Sequence, residues 1–259
     1  MKKAQEVYSI LGSGWLGIPL AMKLINDGVT VKGSTRSEEK LTHLKELNIL
    51  PFIVDIEKEI SNSDFFNTDV LLIMITSKEI SAYENLISQI EKSEIKKVIF
   101  ISSTSVYPRN NKVYTEEEET IDDALLVRVE ELFRRNSNFK TTIIRFAGLY
   151  GGKRQPGNWF AEKEIPQPDG FVNMIHRDDC IAIISKIIEK DVFGETFNAC
   201  ADHHPTRKEF YKEARKNLGK PEPKFKKEID LKFKKISPKK LMNSLNYEFI
   251  HNNLLELKE

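Results

Sequence analysis

The chain has 259 residues, enough to bury a full hydrophobic core, and its 40% apolar and 31% charged content excludes a disordered or fibrous polymer. Forty Lys and Arg against 39 Asp and Glu leave a net charge of +1, so no global charge points to nucleic acid or to an acidic partner. Two cysteines, Cys180 and Cys200, are too few for a disulfide framework and read as buried free thiols. No apolar run approaches the roughly 18 residues of a membrane span. The first residues lead straight into a strand without a secretory segment, so the expected compartment is the cytoplasm.

In chain order, residues 7–11 form a short apolar run of the kind that fills a buried parallel strand. Gly12-Ser13-Gly14-Trp15-Leu16-Gly17 follows at once, and then Leu20, Ala21, Leu24 and Ile25 recur at helical spacing up to Gly28. Gly12 suits a tight turn, Gly14 a close backbone approach to a pyrophosphate, and Gly17 close packing of helix on strand. Phosphates would sit at the helix N-terminus, where free N–H groups and the helix dipole favour negative charge. Pro19 stands in the first turns, where a missing N–H costs least. A second strand over residues 29–33 completes the context that a dinucleotide site requires, against the alternative of a purely structural glycine turn.

That strand runs out into Ser34-Thr35-Arg36-Ser37, without the carboxylate that an NAD site places there for the ribose hydroxyls. A guanidinium and three hydroxyls suit a 2′-phosphate, which puts NADP ahead of NAD; otherwise Arg36 caps a solvated loop. A helix is expected over residues 41–47 and a strand over 50–54, ending at Asp55 and Ile56. Asp55 either bonds the adenine edge or serves as a turn carboxylate. A strand over 70–75 leads to Thr76, which joins the expected cofactor set; a helix over 83–90 and a strand over 98–101 follow. Strands alternating with helices predict an α/β fold, a Rossmann-type doubly wound parallel sheet.

From Ile101-Ser102-Ser103-Thr104-Ser105-Val106-Tyr107 onward, the chain resembles the extended short-chain dehydrogenase/reductase family, in its NAD-dependent epimerase/dehydratase branch. Similar segments are Ile144-Arg145-Phe146 with Tyr150-Gly151, Asn173-Met174-Ile175-His176-Arg177-Asp178-Asp179, Phe197-Asn198-Ala199, His204-Pro205-Thr206, and Ser237-Pro238-Lys239 ahead of Asn246-Tyr247. The resemblance spans nearly the whole chain. It implies a cofactor domain over residues 1–165, with core return segments near 171–200, and a small C-terminal α/β substrate domain over 201–259. It also places Tyr150 beside the cofactor, Ser103 or Thr104 at the hydroxyl that holds the substrate oxygen, and Tyr107 near the nicotinamide.

The family's Tyr-x-x-x-Lys pair is absent. A tyrosine with a pKa near 10 needs an ammonium one helical turn away to stabilise its phenolate. Here a helix expected over residues 122–133 offers Asp122 or Asp123 where the tyrosine would stand and Leu126 or Val127 where the lysine would stand. Its nearby cation, Arg128, does not carry protons at neutral pH. Tyr107 has Asn111 four residues on, and Tyr114 has Glu118, so neither restores the pair. Ser103, Thr104 and Tyr107 therefore remain as candidates for the non-standard chemistry of an atypical oxidoreductase or sugar-nucleotide-modifying enzyme, beside a catalytically silent regulator or interaction protein that kept the cofactor site.

Residues 151–170 read as a loop at the site mouth, with Arg154, Gln155, Asn158 and Trp159 as candidate substrate contacts or as an ordinary solvated loop. His176 either bonds Asp178 or Asp179 or shapes the substrate pocket. No metal is expected, because His43, His176, His203, His204 and His251 lack metal-site spacing around a cysteine cluster. The stretch is short for a nucleotide-sugar enzyme, which implies a smaller substrate or a shallow pocket. A lysine-rich segment carries Lys224, Lys226, Lys227, Lys232, Lys234, Lys235, Lys239 and Lys240. The alternation of Ile229, Leu231 and Phe233 with Asp230, Lys232 and Lys234 reads as an edge strand with a solvated face rather than a nucleic-acid stripe. The expected partner is a small-molecule substrate, phosphate- or nucleotide-bearing, for a monomer or a homodimer.

Overall fold

A computed structural model describes residues 5–60, 63–227 and 230–257 of the chain. Strands β1 (Val7–Leu11), β2 (Thr30–Thr35), β3 (Leu50–Ile53), β4 (Val70–Ile73), β5 (Lys97–Ser103), β7 (Lys140–Phe146) and β10 (Thr196–Ala199) form one seven-stranded sheet in the order β10-β7-β5-β4-β1-β2-β3. The run from β3 to β5 pairs in parallel throughout. Helices α1 (Gly17–Asn26), α2 (Glu39–Glu46), α3 (Ile80–Glu91), α4 (Leu125–Arg134) and α5 (Arg177–Glu189) supply the crossovers that parallel strands need. The strand order reverses at β1, and the crevice outside its C-terminal end is the topological switch point of such a sheet.

The chain divides into two compact units, and they interleave. The first comprises residues 1–102, 122–144 and 184–196; the second comprises 103–121, 145–183 and 197–259. The sequence reading, with 1–165 and return segments near 171–200 in one domain and 201–259 in the other, draws these boundaries elsewhere.

In the first unit α1 buries Leu20, Ala21 and Leu24, the stripe that its sequence spacing sets out. A core of Leu11, Phe65, Leu71, Ile73, Tyr83, Leu86, Val98, Phe100 and Phe133 fills one face of the strands, and the rings of Phe100 and Phe133 stack at 5.0 Å. Helix α4 starts three residues later than expected. Asp123 takes the left-handed conformation (φ 56°) and Ala124 an extended one, which places Asp122 and Asp123 in the turn ahead of the helix.

The second unit has its own core of Tyr150, Ile165, Val172, Met174, Phe210, Tyr211 and Leu254. It contains two parallel pairs: β8 (Gly148–Tyr150) with β9 (Met174–His176), and β6 (Lys112–Tyr114) with β11 (Lys234–Ile236). Helix α6 (Arg207–Asn217) starts at Thr206 with a full capping box, Thr206 Oγ1 accepting from Glu209 N–H at 3.2 Å. Helix α7 (Lys239–Leu245) follows β11. Cys180 and Cys200 are buried free thiols.

The expected edge strand through Leu231 and Phe233 is a correction. Ile229 lies outside the described residues; the strand itself begins at Lys234 and is paired to β6. Ahead of it the extended backbone is held by carboxamides. Gln167 donates to Asp230 O at 3.0 Å and accepts from Lys232 N at 2.7 Å. Asn111 donates to Leu231 O at 2.9 Å and accepts from Phe233 N at 2.8 Å. Asn173 donates to Lys234 O and accepts from Ile236 N, both at 2.9 Å. Each carboxamide thus takes one carbonyl and the N–H two residues on, as a neighbouring strand would.

Candidate functional site

The first unit carries a crevice of about 270 Å³ at the C-terminal ends of four adjacent strands. Gly12–Gly14 after β1, Ser34–Arg36 at the end of β2, Val54–Glu57 after β3 and Met74–Ser77 after β4 line it. Gly12 has φ 109°, and a Cβ there would stand 2.8 Å from Met74 O, so only glycine makes this turn without displacement. A Cβ at Gly17 would stand 2.4 Å from Gly12 O, which is the close helix-to-strand contact that the spacing predicts. A Cβ at Gly14 would meet nothing within 4 Å, so its backbone faces open space in the crevice.

Three observations show that these residues fit a dinucleotide. Gly14 leaves the space that a phosphate needs. No side chain caps the N-terminus of α1, which begins immediately behind the turn. Ser13 Oγ is buried in the crevice wall without a hydrogen-bond partner among the described residues.

The residues at the end of β2 divide their work differently from the sequence expectation. Ser34 Oγ accepts from Gly12 N–H at 2.9 Å, and Ser34 O accepts from Ser13 N–H at 3.0 Å. Thr35 Oγ1 accepts from Ser37 N–H at 3.1 Å. Both hydroxyls therefore shape the turn, and the exposed Arg36 is the cation left at the rim. Asp55 is turned in local bonds, accepting from Glu57 N–H at 3.2 Å with Lys58 Nζ at 3.7 Å. Ile56 is a buried wall and Thr76 an exposed rim residue of the same crevice. Glu57 also lines it, with Ser77 Oγ donating to its carboxylate at 2.5 Å. Trp15 is half-buried and Leu16 buried at the start of α1; neither lines the crevice.

In the second unit Ser103 Oγ accepts from Ser105 N–H at 3.1 Å, and Ser103, Thr104 and Ser105 line a cleft of about 260 Å³. Tyr107 is only 1% exposed. Its hydroxyl donates to Asn198 Oδ1 at 3.0 Å and accepts from Arg145 Nη1 at 2.5 Å, while Glu116 accepts from Asn198 N–H at 2.6 Å. Burial pushes the Tyr107 phenol up, against the opposing pull of Arg145. A proton-transfer role for Tyr107 thus meets a hydroxyl already engaged in a buried network.

Tyr150 is buried against the His176 ring at 5.0 Å, and burial, followed by the Asp179 charge, raises its phenol. His176 Nδ1 accepts from Asp178 N–H at 3.2 Å, and its ring lies 3.8 Å from that of His251. Burial, then the neighbouring His251, lowers the His176 pKa. The fold brings His176, Asp178 and His251 together although their sequence spacing carried no metal signal. Arg154, Asn158 and the 40%-exposed Trp159 stand on the loop surface, Asn158 bonded to Lys220; they and His176 do not line the cleft.

Lys234 is the cleft residue that sequence patterning assigned to solvent. Its Nζ donates to Thr104 O at 2.7 Å and to Tyr107 O at 2.6 Å. Burial, then the charge of Arg109, lowers its pKa to about 8.

A family model described as NAD(P)H-binding matches residues 12–191. Protein YeeZ of Escherichia coli (strain K12) is 30% identical over a 266-residue alignment that covers 93% of this chain and 94% of YeeZ. A functionally unknown conserved protein from Silicibacter pomeroyi superposes with a TM-score of 0.82 at 18% identity, over 97% of this chain and 96% of that one. A putative NAD-dependent epimerase/dehydratase from Methylobacillus flagellatus gives 0.78 at 21% identity, over 97% and 95%. UDP-glucuronic acid 4-epimerase from Bacillus cereus, in complex with NAD, gives 0.78 at 18% identity, over 96% and 95%. These structures share the fold. Among the described residues no helix is long and apolar enough to cross a membrane.

Proposed function

The chain belongs to the NAD(P)H-binding family, and from that premise we propose that it holds NADP(H) in preference to NAD(H) and works as an atypical oxidoreductase of the epimerase/dehydratase type. The observation that carries this is the crevice at the switch point, where an open glycine turn and an uncapped helix N-terminus stand beside Arg36. Gly12, Gly14 and the first turn of α1 would hold the pyrophosphate, Asp55 and Ile56 would flank the adenine, and Arg36 would meet a 2′-phosphate. A bound nicotinamide supplies or accepts a hydride. Ser103 and Thr104 are the hydroxyl-bearing candidates to orient a substrate oxygen. Substrates of the structural neighbours, such as the UDP-glucuronic acid of the Bacillus cereus epimerase, suggest a phosphate-bearing ligand.

A second reading, a dinucleotide-binding regulator without turnover, is favoured by α4, which carries neither tyrosine nor lysine. Fluorescence titration with NADPH and NADH tests the binding. NADPH should bind more tightly, and Arg36→Ala should weaken NADPH by about tenfold, roughly 1.4 kcal/mol, while leaving NADH nearly unchanged. Equal losses for both cofactors would remove the 2′-phosphate contact. Oxidation of NADPH over a panel of carbonyl compounds and sugar nucleotides separates enzyme from regulator; tight binding without turnover on any of them selects the regulator.

A further inference from the structure

The cleft of the second unit is built with one sign of charge. The described residues that line it include Arg109, Arg207, Lys232 and Lys234 and no carboxylate. Three aromatic rings, Phe171, Tyr211 and Phe233, share the lining. Phe171 and Phe233 meet edge to face at 4.9 Å, which makes one continuous apolar wall.

Two of the cations, Lys234 and Arg207, are held in place by groups that do not neutralise them. Lys234 uses two of its three N–H donors on the carbonyls of Thr104 and Tyr107, which leaves one for a ligand. Arg207 donates Nε to Pro166 O at 2.8 Å, and its guanidinium lies 5.3 Å over the Tyr211 ring, which fixes the plane of the fork. The backbone that carries Lys232 and Lys234 is clamped by Gln167, Asn111 and Asn173. Burial disfavours the charged forms of both Arg207 and Lys234, and repulsion by Arg109 adds to it, while Tyr211 opposes it at Arg207. Like charges gathered in a half-buried cleft cost stability unless something anionic offsets them.

We propose that this cleft binds a small phosphomonoester, its phosphate held by Arg109, Arg207 and Lys234 and its carbon skeleton resting on Phe171 and Phe233. A phosphomonoester carries a charge of about −1.5 to −2 near neutral pH, which answers several cations where a carboxylate would answer one. Guanidinium forks suit phosphate oxygens bidentately. The cleft, of about 260 Å³, sets the cations and the two rings close enough together for a compact carbohydrate phosphate to reach both. The inference rests on the second unit alone and is independent of which dinucleotide the first unit holds.

Calorimetric titration of the intact chain with ribose 5-phosphate, inorganic phosphate, ribose and UDP-glucose tests it. Ribose 5-phosphate should bind more tightly than phosphate, and ribose should not bind. Arg109→Ala, an exposed position that leaves the fold intact, should weaken ribose 5-phosphate by tenfold or more, and Lys234→Met should do the same. Gly14→Ala, in the crevice of the first unit, should leave this binding unchanged. Unaltered affinity in Arg109→Ala, loss in Gly14→Ala in its place, or no saturation of the wild type at about 1 mM would each overturn the proposal. Tighter, Arg109-dependent binding of UDP-glucose would overturn it in favour of a nucleotide-diphosphate site.

Discussion

Two glycines three residues apart should respond to alanine in opposite ways. At Gly17 the added methyl carbon would stand 2.4 Å from Gly12 O and 3.2 Å from Ile10 Cγ2. The first of these is backbone in a constrained turn and has little freedom to move aside. Overpacking of this kind costs about 1–3 kcal/mol, and the severity of the approach puts Gly17→Ala at the upper end. Replacing a helical glycine by alanine returns up to about 1 kcal/mol. The net loss is then about 2 kcal/mol, a fall of about 4–8 °C in melting temperature for a chain of this size.

At Gly14 the same methyl meets nothing within 4 Å, and φ is not in the left-handed region. The free protein should therefore be unchanged or slightly more stable, because alanine restricts the unfolded chain by about 0.4–1 kcal/mol. The methyl does, however, fill the space through which a phosphate approaches the turn. Loss of that approach should weaken NADPH by tenfold or more, about 1.4 kcal/mol. Thermal melts without ligand, paired with NADPH fluorescence titrations of both variants, read the two effects separately. Gly14→Ala binding NADPH within twofold of the wild type would refute the assignment of the turn to phosphate. Gly17→Ala melting like the wild type would refute the packing role.

Two further predictions concern the second unit. Asp179 is 0% exposed and accepts from Tyr247 Oη and Ile250 N–H, both at 2.7 Å, and from His251 N–H at 3.1 Å. Asp179→Ala strips these partners from a charged acceptor and should cost at least about 3 kcal/mol in urea denaturation; a loss below about 1 kcal/mol would count against the staple. Burial lowers the pKa of both His176 and His204 below the ordinary 6.5, so both rings take up a proton less readily in the fold than in the unfolded chain. Below about 6.5 the unfolded chain binds more protons than the native one, and stability falls as pH falls. Urea midpoints at pH 7.5 and 5.5 should show this decline, reduced in a His176→Gln, His204→Gln variant; identical profiles for variant and wild type would exclude the histidines as its source.

The glycine turn was legible because strand, turn and helix lie within residues 7–26, and Gly17 packs on Gly12 O and Ile10 inside that span. The atom that restricts Gly12, Met74 O, lies 62 residues away and was not legible. The bond that Ser34 makes was hidden for the same reason. Pairing of β2 with β1 brings its hydroxyl under Gly12 N–H, a partner 22 residues away. Lys234 shows the limit of periodicity. Alternation correctly marks an extended backbone, but the face that meets solvent depends on which groups take up the backbone bonds. Here those groups are Asn111 and Asn173, 122 and 61 positions away from the residues they bind. The cleft's charge therefore became visible only in three dimensions.

The segments that carry the family resemblance have a physical reason to persist without the tyrosine–lysine pair. Tyr107 from the first such segment bonds Arg145 from the second and Asn198 from another. Asn173 clamps the backbone of β11, and Asp179, six residues on, ties down the C-terminal segment through Tyr247. These motif residues are each other's partners or anchor the tail, so together they assemble the second unit whether or not a hydride is transferred. Removing Tyr107's hydroxyl would leave Arg145 and Asn198 with an unmet partner in a buried site, a cost of about 1–3 kcal/mol that does not depend on catalysis. Retention of the motifs therefore supports the fold, and turnover has to be sought in the residues that face the clefts: Ser103, Thr104 and the lysine that the sequence pattern had assigned to solvent.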